Sequence, residues 1–140
     1  MRTIARTAFA GLCLALSATS VHGQDEVPAD LAYPGTVALS KNPAGEWIYR
    51  KFPSLMPLYT YGGDIPGSGK STCNIGCIGP WPPVRAEAAD TPVGNWTIID
   101  RTDGRRQWAY KGHPVYMRYH DEINNPIGDG EEGKWHLLKP

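Results

Sequence analysis

The sequence is poor in cysteine, has no excess of basic residues and contains only one apolar run of any length. It has 14 basic and 14 acidic residues, and the lack of a basic stripe argues against nucleic acid as a partner. The apolar run lies near the N-terminus and is too short to span a membrane. One of the three cysteines, Cys13, lies in that run, which leaves Cys73 and Cys77 as the only pair in the remaining chain.

The first 23 residues have the pattern of a signal peptide. Arg2 and Arg6 supply a basic start, residues 8–18 form a short apolar stretch, and the residues at 21–23 predict cleavage before Gln24. We therefore expect an exported protein, periplasmic or extracellular, with no transmembrane segment after cleavage.

A lipid anchor is not expected, because Cys13 follows the bulky Leu12 and lies inside the apolar stretch. After cleavage the chain is expected to be soluble, with 12 basic and 14 acidic residues and a net charge near −2. Its length suits one domain, residues 36–140, preceded by a flexible lead-in over residues 24–35.

What the sequence does contain predicts an all-β fold. Sixteen glycines, 13 prolines, seven tyrosines and five tryptophans are typical of a turn-rich globular domain. We expect a small antiparallel domain with Gly- and Pro-rich loops and at most one short helical turn, over residues 84–89. Residues 42–45 fit a type I turn, and Asp103-Gly104 predicts a type I′ hairpin whose two-residue loop pairs Ile99 with Trp108.

The sequence also repeats itself in degenerate form. Residues 56–59 (MPLY) align with residues 113–116 (HPVY), and Asp64 and Asp121 each lie five residues after the aligned tyrosine. Each copy then continues through a Gly-rich loop to a tryptophan, which is Trp81 in the first copy and Trp135 in the second.

Two copies of such a unit should pack on each other, because each exposes an aromatic face that it cannot bury alone. We place repeat one at about residues 36–83 and repeat two at about residues 94–140. The tryptophan and tyrosine rows are assigned to the core of this β domain, with a ligand groove as the alternative.

The motifs make the chain similar to a family of bacterial secreted repeat proteins, predicted lipoproteins with a conserved Yx(F/W/Y)xxD motif. Residues 59–64 match this motif in full, whereas Arg118 replaces the aromatic residue of the second copy. The resemblance covers about residues 36–140 and implies export and a fold; it implies no reaction, because the family is of unknown function. The residues that carry the resemblance include Tyr59, Tyr61, Asp64, Trp81, Pro82, Pro83, Trp108, Tyr110, Tyr116, Asp121 and Trp135.

The cysteine pair has three interpretations. In an oxidising compartment Cys73 and Cys77 favour a structural disulfide, and Asn74 and Gly76 make the required turn easy. A copper site and a redox-active thiol pair are the alternatives.

The copper hypothesis draws on soft sulfur and imidazole ligands. No two histidines share a close metal-binding spacing, so each is also explained as an ordinary surface or turn residue. The candidate ligands are Cys73, Cys77, His113, His120, His136 and Met56, with Met117 as a further sulfur.

Asp64 and Asp121 are assigned a structural role, in which each carboxylate bonds the backbone of the Gly-rich loop that follows it. Catalysis by this pair is the weaker alternative, because paired carboxylates act as acid and base only when their environments differ. No residue is assigned as catalytic.

Together these features predict a non-enzymatic cell-envelope module with a binding or structural role and no cofactor. Its partner would be an envelope protein or a small ligand. The main alternative is a periplasmic copper-binding or electron-transfer accessory protein that uses Cys73 and Cys77 with His or Met ligands; a thiol–disulfide enzyme is a weaker third.

Overall fold

The described part of the chain is all-β, as predicted. The structure is a computed structural model that describes residues 31–140, so the signal peptide and the start of the lead-in lie outside the described residues. Within residues 31–140 no helix has the length and apolarity needed to cross a membrane. The elements are β1 (Val37–Lys41), β2 (Trp47–Lys51), β3 (Met56–Pro57), β4 (Tyr59–Tyr61), β5 (Trp96–Asp100), β6 (Arg106–Tyr110), β7 (His113–Tyr116), a 3₁₀ turn (Glu131–Gly133) and β8 (Trp135–Leu137).

Each repeat builds an antiparallel meander, and the two meanders have the same layout. In repeat one β1 pairs with β2 and β2 with β3, which leads directly into β4. In repeat two β5 pairs with β6 and β6 with β7. The meanders join edge to edge because β4 pairs antiparallel with β7, with Tyr59 opposite Tyr116. A pseudo-twofold axis therefore passes between these two tyrosines.

The last strand of repeat two inserts between strands of repeat one. β8 pairs with β4, and the chain then continues into Leu138. Leu138 N donates to Leu58 O at 2.7 Å, and Leu138 O accepts a hydrogen bond from Tyr49 N at 3.0 Å. The C-terminal segment thus joins β4 to β2.

Residues 82–86 take the equivalent place in repeat two, and the helical turn predicted over residues 84–89 is therefore wrong. Val84 N donates to Val115 O at 2.9 Å, and Val84 O accepts from Trp108 N at 2.9 Å. The alanines of this segment permit a helix, but the flanking strands β6 and β7 offer backbone partners that only an extended chain can use. The one helical turn among the described residues lies instead at Glu131–Gly133.

The β5–β6 hairpin has a three-residue loop, so the predicted type I′ turn and its register are wrong. Gly104 N donates to Arg101 O at 3.0 Å, and Arg101 N donates to Arg105 O at 2.8 Å. Gly104 has a φ of 77°, and Ile98 pairs with Trp108 in place of Ile99. A loop of this kind, a turn followed by a left-handed glycine, is the common three-residue hairpin connection.

The β1–β2 hairpin has the same loop. Gly45 N donates to Asn42 O at 2.9 Å, as expected for the turn predicted over residues 42–45, and Gly45 also has a positive φ. The two hairpins therefore share their turn geometry although their loop sequences, NPAG and RTDG, have only the glycine in common.

The strands form a three-stranded sheet, β1-β2-β3, and a five-stranded sheet, β5-β6-β7-β4-β8. The buried side chains fall into two hydrophobic cores, because successive strand residues point to opposite sides. Leu58 and Val115 belong to the first core, and their neighbours Tyr59 and Tyr116 belong to the second. The described part of the expected flexible lead-in also packs against the first core, through Leu31 and Tyr33. The first core contains Val37, Leu39, Tyr49, Leu58, Val84, Ala86, Trp96, Trp108, Tyr110, Val115 and Leu138; the second contains Ile48, Tyr59, Cys73, Trp81, Tyr116, Trp135 and Leu137.

The left-handed glycine of the β5–β6 loop gives a test of the observed turn. Gly104 has a φ of 77° and open space around its missing Cβ, so Gly104→Ala should destabilise only through the backbone conformation. We expect the free energy of unfolding in urea to fall by about 1–2 kcal/mol. Gly79→Ala is the matched control, because Gly79 also has open space but no positive φ. Equal effects of the two substitutions would contradict the left-handed turn.

Candidate functional site

The aligned tyrosine of each repeat bonds the aligned aspartate of the other repeat. Tyr59 Oη donates to Asp121 Oδ2 at 2.5 Å, and Tyr116 Oη donates to Asp64 Oδ2 at 2.6 Å. All four side chains are buried. We call this pair of exchanged hydrogen bonds the tyrosine–aspartate clasp. Alignment alone did not show it, because within one repeat the tyrosine and the aspartate are neighbours in sequence.

The second oxygen of each aspartate bonds the backbone of its own loop, which is the structural role expected from the sequence. Asp64 Oδ1 accepts hydrogen bonds from Thr72 N at 2.7 Å and from Thr72 Oγ1 at 2.8 Å. Asp121 Oδ1 accepts from Ile127 N at 2.9 Å. Each carboxylate therefore connects the Gly-rich loop of its own repeat to a tyrosine of the other.

The tryptophans that end the two loops stack on each other next to the clasp. The rings of Trp81 and Trp135 lie 3.6 Å apart between centroids and are inclined by only 2°. Tyr61 stacks on Trp135 at 4.5 Å, and the Arg118 guanidinium lies over Trp81 at 5.2 Å. Tyr61 and Arg118 hold the same position in the two repeats, two residues after the aligned tyrosine. The arginine that departs from the family motif thus takes the equivalent place in the stack.

The clasp and the stack are in direct contact. Tyr59 meets Trp81 edge to face at 5.3 Å, and Tyr116 meets Trp135 in the same way at 5.2 Å. Gly128 leaves room for this arrangement, since a Cβ atom there would lie 2.6 Å from the Trp81 ring. The two repeats are therefore held together by one continuous aromatic and polar cluster.

Two buried arginines, which the sequence reading missed, hold the loops in a similar exchange. Arg50 of repeat one donates to Ile123 O in the loop of repeat two at 2.5 Å. Arg101 of repeat two donates to Cys73 O in the loop of repeat one at 2.6 Å. The signal for Arg50 was its position directly after three apolar strand residues, Trp47-Ile48-Tyr49, where a buried charged side chain needs internal partners.

Cys73 and Cys77 are joined by a disulfide, with their Cα atoms 5.2 Å apart. Cys73 is buried in the second core, while Cys77 reaches its edge. Trp81 N donates to Cys77 O at 3.1 Å, so the disulfide-bonded turn leads straight into the tryptophan stack. The disulfide that the sequence favoured is therefore present in the structure, because the two sulfurs are bonded to each other.

The other candidate copper ligands lie in different parts of the fold. His113 opens β7, His120 lies beside the ring of Tyr119, and His136 is an exposed residue of β8. Met56 lies in β3. Among residues 31–140, no three His, Cys, Asp or Glu side chains are arranged to hold a metal ion.

A cleft of about 300 Å³ lies beside the stack, where the two repeats meet. The loop of repeat one forms one wall and the 3₁₀ turn of repeat two forms the other, with the tryptophan pair between them. We call it the junction cleft. Its lining residues are Tyr61, Gly76, Cys77, Pro80, Trp81, Glu131, Glu132 and Trp135.

A second cavity, of about 380 Å³, lies between the start of β1 and the segment after Trp81. Its floor includes Pro82, Pro83 and Met117, and its rim mixes both signs of charge. The Asp90 carboxylate on that rim accepts a hydrogen bond from Glu87 N at 2.7 Å, so it is already engaged within the protein. The rim residues are Lys51, Arg85, Glu87, Asp90 and Arg105.

Comparison with known families fits this two-fold arrangement. A family model described as a secreted repeat of unknown function matches residues 54–85 and 97–139, which together make up more than half of the chain. The chain belongs to this family. The resemblance inferred from the sequence motifs is confirmed, and each matched segment of this secreted repeat contains one aspartate of the clasp. No curated protein and no solved structure matches the chain.

Both clasp tyrosines of the secreted repeat are held as neutral hydrogen-bond donors. Burial raises the pKa of Tyr59 above its ordinary value, and the hydrogen bond to Asp121 raises it further. Burial likewise raises the pKa of Tyr116, with a further increase from Asp64 and a partial offset by Ser71. At neutral pH both hydroxyls therefore keep the proton that they donate, and the arrangement suits a clasp rather than a nucleophile.

Removing one hydroxyl of the clasp should destabilise the fold. In Tyr59→Phe the buried Asp121 carboxylate loses a charge-assisted hydrogen bond. We expect the free energy of unfolding, measured in urea, to fall by about 1.5–3 kcal/mol. Tyr119→Phe is the matched control, because Tyr119 is exposed and its hydroxyl makes no hydrogen bond within residues 31–140. A loss no greater than that of Tyr119→Phe would count against the clasp.

The raised pKa values also predict how stability depends on pH. Tyrosine in the unfolded chain loses its proton near pH 10, and the folded state holds the proton more tightly. The contribution of these two tyrosines to the free energy of unfolding is therefore complete below about pH 10. It is lost as the pH rises further, by up to ~1.4 kcal/mol per pH unit for each tyrosine. Tyr59→Phe should show a shallower decline than the wild type between about pH 10 and 11. Parallel curves for the two proteins would disagree with this account.

Proposed function

We propose that this secreted repeat is a non-enzymatic binding module of the cell envelope, and that the junction cleft is its ligand site. The observation that carries this proposal is the position of the cleft, at the meeting point of the repeats and above two buried, stacked tryptophans. Small-molecule sites are concave and lie preferentially where structural units meet, and this cleft combines ring and disulfide surface with two carboxylates.

The carboxylates of the clasp already have hydrogen-bond partners within the protein, which supports binding rather than catalysis. Both oxygens of Asp64 and of Asp121 accept hydrogen bonds from within the protein, as described above. A general base or nucleophile needs a lone pair directed at a substrate, and these buried groups direct theirs inward. The aligned polar residues therefore serve the scaffold, which leaves the loop surfaces available to bind a ligand.

Both walls of the cleft are held in place by specific bonds. In repeat one the disulfide and the hydrogen bond from Trp81 N to Cys77 O fix the loop. In repeat two the Arg118 Nε atom bonds Glu131 Oε2 at 2.7 Å and so ties the 3₁₀ turn to the stack. A preorganised site of this kind loses little conformational entropy when a ligand binds.

The proposal can be tested with 2-phenylethanol, a neutral probe with a flat apolar body. Backbone-amide NMR of the mature protein should show shifts at the residues of the junction cleft, including Gly76, Cys77 and Glu132. Glu132→Trp, which places a large side chain on the exposed rim, should weaken binding at least tenfold. Its matched control is His120→Trp, because His120 is also exposed and has a positive φ but lies outside the lining of the cleft, and this variant should leave binding unchanged.

The same spectra can overturn the proposal. Shifts concentrated at Arg85 and Met117 would place the site in the larger cavity. An absence of saturable shifts with the wild-type protein would leave the junction cleft without a binding role.

A further inference from the structure

We infer that the junction cleft selects small organic cations, that is, a protonated amine or quaternary ammonium carried on a compact apolar body. This inference rests on the proposed function and adds the chemical class of the ligand.

The side chains that line the cleft carry a net negative charge. Among the lining residues the charged side chains are Glu131 and Glu132, and both are acids. Arg118 reaches Glu131 from the stack and neutralises one of the two. One negative charge therefore remains in a cleft whose other side chains are three aromatic rings, a disulfide sulfur and a proline.

Glu132 is the carboxylate left for a ligand. It is exposed at the mouth of the cleft, and its side chain makes no hydrogen bond or ion pair with any residue in the described part of the chain. The neighbouring Glu131 carboxylate already pairs with a cationic group, the Arg118 guanidinium, at 2.7 Å. A ligand ammonium beside Glu132 would repeat that pairing on the open side.

The tryptophans contribute shape rather than charge recognition. Trp135 is covered by Tyr61 and Trp81, and Trp81 by Trp135 and the Arg118 guanidinium, so a ligand meets mainly the ring edges. Ring edges carry the positive side of the aromatic quadrupole, so they do not attract a cation. They suit the apolar body of the ligand, and the carboxylates select its charged end.

The experiment compares three probes of nearly equal shape: 2-phenylethylamine, 2-phenylethanol and 3-phenylpropionate, which are a cation, a neutral molecule and an anion at pH 7. Affinities for the mature protein are measured at low salt by NMR titration. We expect the amine to bind about fivefold more tightly than the alcohol, and the anion most weakly. The gap between amine and alcohol should narrow in high salt, because a partly exposed ion pair is screened.

Two conservative variants assign the effect to the proposed carboxylate. Glu132→Gln should reduce the ratio of amine affinity to alcohol affinity from about five to about one. Glu87→Gln, an exposed acid on the rim of the other cavity, should keep the wild-type preference for the amine. Both substitutions are at exposed sites and should leave the fold intact.

The outcomes separate this inference from the proposed function. Equal or tighter cleft binding of the alcohol or the anion would overturn the cation preference and leave the junction cleft as a binding site. An undiminished amine preference in Glu132→Gln would also overturn it. Failure of all three probes to bind at the cleft would overturn both proposals together.

Discussion

The structure depends on the need to satisfy two buried carboxylates. Asp64 and Asp121 lie out of water, where an ionised group without hydrogen bonds is strongly destabilising. Each finds donors in its own loop, but the remaining oxygen is satisfied by a tyrosine that belongs to the other repeat. Neither repeat can therefore complete its own polar network alone. The pairing of β4 with β7 brings each tyrosine to the aspartate of the other repeat, and the tryptophan stack packs against the same tyrosines, so the two repeats share one buried network.

The features predicted correctly were those that local sequence encodes. Alternating aromatic strands, turn residues and internal alignment indicated an all-β fold of two repeats, and the short spacing of Cys73 and Cys77 in an exported chain favoured a disulfide. The wrong predictions concerned segments whose backbone conformation is set by partners outside the segment itself. Residues 84–89 are extended because β6 and β7 lie on either side, and the β5–β6 register differs by one residue because Arg101 and Arg105 close the loop around a left-handed Gly104.

The sequence indicated individual residues of the candidate site but not the contacts that join them across the two repeats. The sequence indicated that each aspartate bonds its following loop, which is a local interaction. It did not indicate the exchange of tyrosines between repeats, the arginines that hold the opposite loops, or the role of Arg118, since each of these joins residues far apart in the chain. The junction cleft shares this property: its walls come from residues 76–80 and 131–132, which only the paired sheet brings together.

The equivalence of Tyr61 and Arg118 has a consequence for how such proteins are recognised. A phenol ring and a guanidinium are both flat, delocalised groups, and either can lie over an indole. What the position demands is planarity, not aromaticity. A search pattern that admits only Phe, Trp or Tyr there would miss the second unit of this chain, although the family model matches that unit over residues 97–139.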